Sequence, residues 1–438
     1  MGKYQGYEKY KDSGVEWLGK IPEHWKVTRA KFVSDIFVPQ RNKPELNLDD
    51  GLPWLTMDDM LGDRVSHTKF KVTKEASINA GSKSLKKGSV IASCIGNFGV
   101  CTINDVDVII NQQLQAFIPN SHIIPEYLRE LVKISSDYFQ MIATAATVIY
   151  VNQAGFANMP ITLPPPDEQE KIARFLDHKT KQIDDLIAKK EALIEKLDEK
   201  RTALISHAVT KGLDPNVPMK DSGIEWLDEI PENWKRIPFR WCCYITEGQV
   251  DPTQPKFKDL PLIAPNHIES QTGKLVAKET AEDQGAISGK YFYKSGTLLY
   301  SKIRPALVKA CISDEDGLCS ADMYPIKTAG ILSNKFMLYQ ILSKNFTQLA
   351  ILVSDRVAMP KVNRETLGGF PILVPPLKEQ QQIVDYLDEQ TASITQQKAK
   401  IQQAIELLKE YRTALITNAV TGKIDVRQVP IPEAQKPA

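Results

Sequence analysis

The apolar positions of this chain fall into two long stripes. Residues 167–211 run for about 45 positions with neither proline nor glycine. Stepping alternately by four and three gives Ile172, Leu176, Lys179, Ile183, Leu186, Lys190, Leu193, Leu197, Lys200, Leu204 and His207. Seven of these eleven are apolar, the pattern of a helix that packs along a seam. Residues 378–421 repeat it with Ile383, Leu387, Ile394, Ile401, Ala404, Leu408, Tyr411 and Leu415. Asp167 with Glu170 suggests a capping pair at the first helix start, and Gly212 suits a C-terminal cap. Each helix would measure about 66 Å at 1.5 Å per residue. Two striped helices in one chain are expected to pair, and the chain between them is long enough to return the second antiparallel to the first.

The remaining stretches follow a different rhythm. Residues 27–157 and 236–365 each hold a proline-containing apolar segment ("LPWLTMDDM" at 52–60, "LPLIAPNHI" at 260–268). Each then has β-branched runs opening just after a glycine turn, at 86–103 and 293–312. An amphipathic helix is expected at 125–143 and again at 334–352, followed in both by a polar loop. This is a mixed α+β pattern with twisted antiparallel strands.

The whole pattern occurs twice. "KDSGVEWLGKIPEHWK" (Lys11–Lys26) returns as "KDSGIEWLDEIPENWK" (Lys220–Lys235), with 12 of 16 residues identical. "LPPPDEQEKIARFLDHKT" at 163–180 is echoed by "VPPLKEQQQIVDYLDEQT" at 374–391, and "RTALISHAVTKGLD" at 201–214 by "RTALITNAVTGKID" at 412–425. The offset stays near 210 residues, so half the chain is duplicated, with a pseudo-twofold relation between the copies. The expected boundaries are a first variable domain at 1–162, a helix at 163–213, a second variable domain at 214–373, a helix at 374–425 and a tail at 426–438. At least half of Trp17, Trp25, Trp226 and Trp234 would anchor the repeated segments onto their own cores.

Composition narrows the function by exclusion. With 438 residues, 42% hydrophobic and 25% charged, the chain is of globular type and long enough for at least two cores. The start has no apolar signal region, and no run approaches a membrane span, so a cytoplasmic protein is expected. The six cysteines form no CxxC pair and no histidine cluster lies near them, which favours reduced core thiols over zinc. No GxxxxGK[ST] phosphate loop, GxGxxG or Asn-Pro-Pro-aromatic methyltransferase motif is present. No catalytic residue, metal or cofactor is therefore expected. Residues 26–158 hold 14 Lys+Arg against 13 Asp+Glu, and 236–366 hold 17 against 13. A nucleic-acid surface would have to be a local patch.

In duplicate, "KDSGVEWLGKIPEHWK", the "PPPDEQEKIARFLD" helix start and the "RTALISHAVTKGL" helix end resemble the specificity subunits of type I restriction–modification enzymes. The resemblance covers nearly the whole chain. It implies two target-recognition domains, each taking one half of a split double-stranded DNA site, and an antiparallel coiled coil that sets the gap. It also implies a subunit without catalysis of its own. Its partners would be two modification subunits, which make an adenine methyltransferase, and restriction subunits, which add an ATP-dependent nuclease. The near-identical segments would meet the paired modification subunits.

Base edges are matched by Arg for guanine and Asn or Gln for adenine, and phosphates by Lys, Arg and polar donors. In the first domain the candidates are Gln40, Arg41, Asn42 and Lys43 in a proline-bounded loop, Lys69 and Lys71 on one face of an expected strand, Asn97 between glycines, and Tyr150, Asn152 and Gln153. In the second domain they are Gln254, Lys256 and Lys258, then Lys302 and Arg304, then Arg356, Lys361, Asn363 and Arg364.

Overall fold

A computed structural model describes residues 4–145, 149–224, 227–354 and 360–431. Trp226 and the candidate Arg356 lie outside the described residues. The chain divides into two compact units: residues 1–189 with 403–438, and residues 190–402. Each unit therefore contains one variable domain, part of the first long helix (Pro166–Lys211) and part of the second (Leu377–Val420).

In the first unit a five-stranded sheet runs in the order Ser34–Phe37, Leu114–Pro119, Val90–Ser93, Cys101–Asn104, Arg64–Val65. A three-stranded sheet holds Ile109–Ile110, Leu52–Leu55 and Phe70–Val72. In the second unit, Cys243–Ile245, Met323–Thr328, Leu298–Ser301 and Ala310–Ile312 form one four-stranded sheet. Gln249–Val250, Lys290–Tyr293, Gly317–Cys319 and Leu262–Ile263 form another. Most pairings are antiparallel as expected. The exceptions lie mainly at sheet edges, where Arg64–Val65 and Leu262–Ile263 join their neighbours in parallel. Each expected domain helix is two helices, Pro125–Ile134 with Ser136–Ile142 and Asn334–Leu342 with Lys344–Ser354. The break falls at a serine both times, and its hydroxyl turns back onto the preceding turn, Ser135 to the Leu131 carbonyl and Ser343 to that of Gln340.

The identical residues of the repeat are the ones that tie each long helix to its domain. Trp25 is fully buried, and its indole N–H donates to Glu168 in the first turn of the first long helix, at 3.1 Å. Trp234 does the same to Glu379 on the second, at 2.9 Å. The neighbouring glutamine works equally in both units. The Gln169 side chain accepts from the Ile124 amide and donates to the carbonyls of Pro164 and His122. The Gln380 side chain accepts from Ser333 and donates to Pro375 and Ile331. The expected Asp167–Glu170 capping pair does not form. The first helix begins at Pro166, the Pro165 carbonyl takes the amides of Glu168 and Gln169, and Glu170 pairs outward with Arg174. Gly212 does follow the helix in a left-handed conformation.

Within each unit the helices run antiparallel. In the first, Arg412 pairs with Asp184 at 2.9 Å. In the second, Lys398 pairs with Asp198 at 2.6 Å and Arg201 reaches Thr395. Arg201 and Arg412 are the same position of the repeat, as are Asp184 and Thr395. The buried stripe departs from strict 4/3 spacing. Leu186 and Leu193 are 43% and 48% exposed, His207 and Tyr411 face solvent, and the core side carries Ile205, Ile405 and Ile416 instead. Isoleucines recur every eleven residues, at 172, 183, 194 and 205 and again at 383, 394, 405 and 416. Eleven residues make three turns of 3.67, closer to the natural 3.6 than a heptad is, so the 3.5 pattern drifts off the buried face over this length.

Candidate nucleic-acid interface

One edge of each variable domain gathers several of the candidates, and the same backbone builds both edges. In the first unit the strand Val90–Ser93 ends with the Ser93 hydroxyl donating to the Ile95 carbonyl, and Ile95 bridges to Tyr150. In the second, Leu298–Ser301 ends with Ser301 donating to the Ile303 carbonyl, and Ile303 bridges to Lys361. The next residue is left-handed in both, Gly96 with φ 63° and Arg304 with φ 48°. A third loop closes the edge: the Cys94 amide donates to the Gln113 carbonyl, and the Lys302 amide to that of Asp322.

The side chains on this shared frame differ. Cys94, Gly96, Tyr150 and Gln153 of the first edge stand where the second has Lys302, Arg304, Lys361 and Arg364. On the first edge the exposed Gln112 amide donates to the carbonyls of Gln40 and Arg41, which brings the exposed loop of Gln40, Arg41, Asn42 and Lys43 to the same place. Gln115 donates to the Tyr150 hydroxyl, and Gln153 to the Ile36 carbonyl. Asn97 is exposed in the turn after Gly96. On the second edge Arg364 lies over two rings, 5.7 Å from the centre of Tyr291 and 5.6 Å from that of Tyr324, with Glu247 at 3.2 Å. Lys302 Nζ is 5.6 Å from the Tyr324 ring. Arg304 and Lys361 are exposed.

Two candidates have local structural work. Asn152 and Asn363 are equivalent helix N-caps, whose side chains accept from the amides of Gly155 and Thr366. The remaining candidates sit on other elements. Lys71 lies in the strand Phe70–Val72 of the three-stranded sheet, its Nζ on the Asp49 carbonyl, while Lys69 precedes that strand, beside the Phe70 ring. Lys69 is thus outside the strand expected to carry both. Gln254 and Lys256 are exposed in a turn, with Lys256 Nζ over the Phe257 ring, and Lys258 is held by Glu282. Gln112 and Gln113 were not among the candidates. The amide-rich run "NQQLQ" at 111–115 is their local signal; their place on the edge comes from pairing between distant segments.

The other charged cluster of the first unit explains itself. Asp63, Glu130 and Asp177 converge within 4.8 Å, and the cation they surround is the protein's own. Arg129 Nη2 lies 2.7 Å from Asp177 and 3.3 Å from Asp63, and Lys133 bridges Asp63 and Glu130. Burial works against the Arg129 charge, but these carboxylates overcome it and raise its pKa. All six cysteines are buried and unpaired; burial pushes Cys94 up to about 11 and Cys101 to about 12. Among the described residues no helix is long and apolar enough to cross a membrane.

One duplicated frame thus bears two dissimilar polar edges. The chain belongs to the family described as the type I restriction modification DNA specificity domain, whose model matches residues 22–196 and again 253–407. It is 29% identical to the type I restriction enzyme EcoDI specificity subunit of Escherichia coli, over 64% of this chain and 65% of that one. It is 21% identical to the MjaIX specificity subunit of Methanocaldococcus jannaschii, over 98% and 99%. Its fold matches the HsdS subunit of Thermoanaerobacter tengcongensis with a TM-score of 0.52 at 16% identity, covering 92% and 98%. It also matches a chain from a structure of type I R-M system assembly with a TM-score of 0.70 at 14% identity, covering 91% and 98%.

Proposed function

We propose that this chain is the DNA sequence-specificity subunit of a type I restriction–modification complex, and that each unit's edge takes one half of a bipartite site. The observation that carries this is the pairing of constancy with divergence. Ser93 and Ser301, Asn152 and Asn363, Trp25 and Trp234 hold one frame in both units, while the residues between them, from buried Cys94 against Lys302 to exposed Gly96 against Arg304, differ in charge and size. A frame kept for stability needs no such divergence; a frame that presents two recognition surfaces does. The paired helices hold the gap between half-sites, and the repeated segments Lys11–Lys26 and Lys220–Lys235 meet two modification subunits. Chemistry belongs to those partners and to restriction subunits, in the cytoplasm; this chain supplies the address.

The test is co-purification with the modification subunit of the source organism, followed by mapping of methylated adenines in cellular DNA. Methylation at one motif of two short half-sites around a fixed gap is the expected result. A stable, active complex that methylates without a bipartite motif would overturn the proposal.

A further inference from the structure

We infer that the second unit's edge reads guanine-containing base pairs, whereas the first unit's edge reads adenine; this rests on the proposed function and assigns a chemistry to each half-site. Four matched positions carry the difference. Where the first edge has Cys94, Gly96, Tyr150 and Gln153, the second has two lysines and two arginines, Lys302, Lys361, Arg304 and Arg364. Guanine offers O6 and N7 as two acceptors in the major groove, which a guanidinium or ammonium group satisfies. Adenine offers N7 as acceptor and N6 as donor, which only an amide matches at both atoms. The first edge is rich in amides: Asn97 and Gln113 are exposed, while Gln112 and Gln153 donate to the backbone carbonyls of Gln40, Arg41 and Ile36 and would have to exchange those contacts for a base. Its cations, Arg41 and Lys43, stand on the adjoining loop.

Arg304 also differs from its counterpart in backbone tolerance. Its left-handed conformation is free of cost for glycine and strained for a residue with a Cβ. The first unit keeps Gly96 there. The second places an exposed arginine at that cost, with its amide donating to the Pro360 carbonyl at 2.9 Å, in a turn that also holds Val308 left-handed at φ 47°. Arg364 is oriented by the Tyr291 and Tyr324 rings, and its solvent-exposed partner Glu247 can be exchanged for a base. Asp322, the counterpart of Gln113, is an exposed acceptor suited to the N4 donor of cytosine, the partner of guanine.

The experiment uses the complex of the full chain with its modification subunits and a duplex bearing the mapped target. Guanines are replaced one at a time by 7-deazaguanine, which lacks the N7 acceptor. Affinity is expected to fall about tenfold for at least one guanine in one half-site, and this penalty should vanish with Arg304→Ala or Arg364→Ala. Replacing adenines by 7-deazaadenine should weaken binding mainly through the other half-site. Arg304→Gly guards against misfolding: it removes the side chain and relieves the backbone, so it should melt no lower than wild type while binding as weakly as Arg304→Ala. A bipartite target whose guanine penalties persist in both arginine variants, or wild-type affinity in Arg304→Gly, would overturn the inference and leave the proposed function standing. Absence of any bipartite target would remove the proposed function itself.

Discussion

The helix that backs the sheet in the first unit, Pro125–Ile134, and its counterpart in the second, Asn334–Leu342, occupy the same place with opposite chemistry. The first buries Arg129 and Glu130 and half-buries Lys133 in an ion network with Asp63 and Asp177. The second puts Leu338, Tyr339 and Leu342 at the matching positions, and only the Tyr339 hydroxyl keeps a polar contact, 2.7 Å from Asp388, the counterpart of Asp177. Both solutions fill the space between domain and long helix. Once the frame is fixed by its tryptophan, glutamate and glutamine anchors, the interior beneath it is free to be charged or apolar. The exposed edges have diverged by the same licence.

The largest expected effect tests that equivalence. Arg129→Met leaves Lys133 as the one cation of this network, among Glu130, which is 1% exposed, Asp63 and Asp177. Urea denaturation should show a loss of about 3–5 kcal/mol. Transplanting the second unit's solution whole, as Arg129→Leu, Glu130→Tyr and Lys133→Leu, should bring stability back to within about 2 kcal/mol of wild type, because the buried charges leave together and the two carboxylates that remain, Asp63 and Asp177, are partly in water. A triple variant as unstable as Arg129→Met would show that the two interiors are not interchangeable.

A smaller effect separates the two anchors. Glu168 is 3% exposed and takes the Trp25 indole, the Tyr7 hydroxyl and, at 2.9 Å, His24. Glu379 is half-buried and takes only Trp234 and Asn233 among the described contacts. Glu168→Ala should therefore cost about 2–3 kcal/mol and Glu379→Ala about 1, since stranded buried donors lose more than wet ones. Equal losses would mean that the anchor acts through helix-end electrostatics alone. The smallest change makes one helix contact resemble its counterpart. Asp184→Thr gives Arg412 the partner type that Arg201 has in Thr395. With both partners partly in water, its cost should stay below about 1 kcal/mol. A larger melting shift would assign that ion pair more than a surface role.

Much of this was visible along the chain. The duplication, the long helices and the buried tryptophans follow from matched strings and apolar stripes, which are local signals. The stripe's middle was misplaced at Leu186, Leu193 and Tyr411 because a seven-residue template accumulates error against a nearly straight helix. The edges were half legible. Polar loops between apolar runs singled out Tyr150, Gln153, Lys302, Arg304 and Arg364. The same loops hold Asn152 and Asn363, which cap equivalent helices in the two units, a role that asparagine spacing alone does not reveal. Gln112 and Gln113 escaped because their place depends on the pairing of Leu114–Pro119 with strands far off in the chain.

The eleven-residue isoleucine spacing also bears on how this molecule can change in length. Adding one such period to each long helix would advance the chain by three turns, about 16 Å at 1.5 Å per residue, and return the next isoleucine to nearly the same azimuth. Insertions far from a whole number of turns, such as about five residues, would swing every later side chain away from the partner helix. The helices thus carry graduations, and a descendant of this protein could be made longer or shorter by whole marks without redesigning a single contact between them.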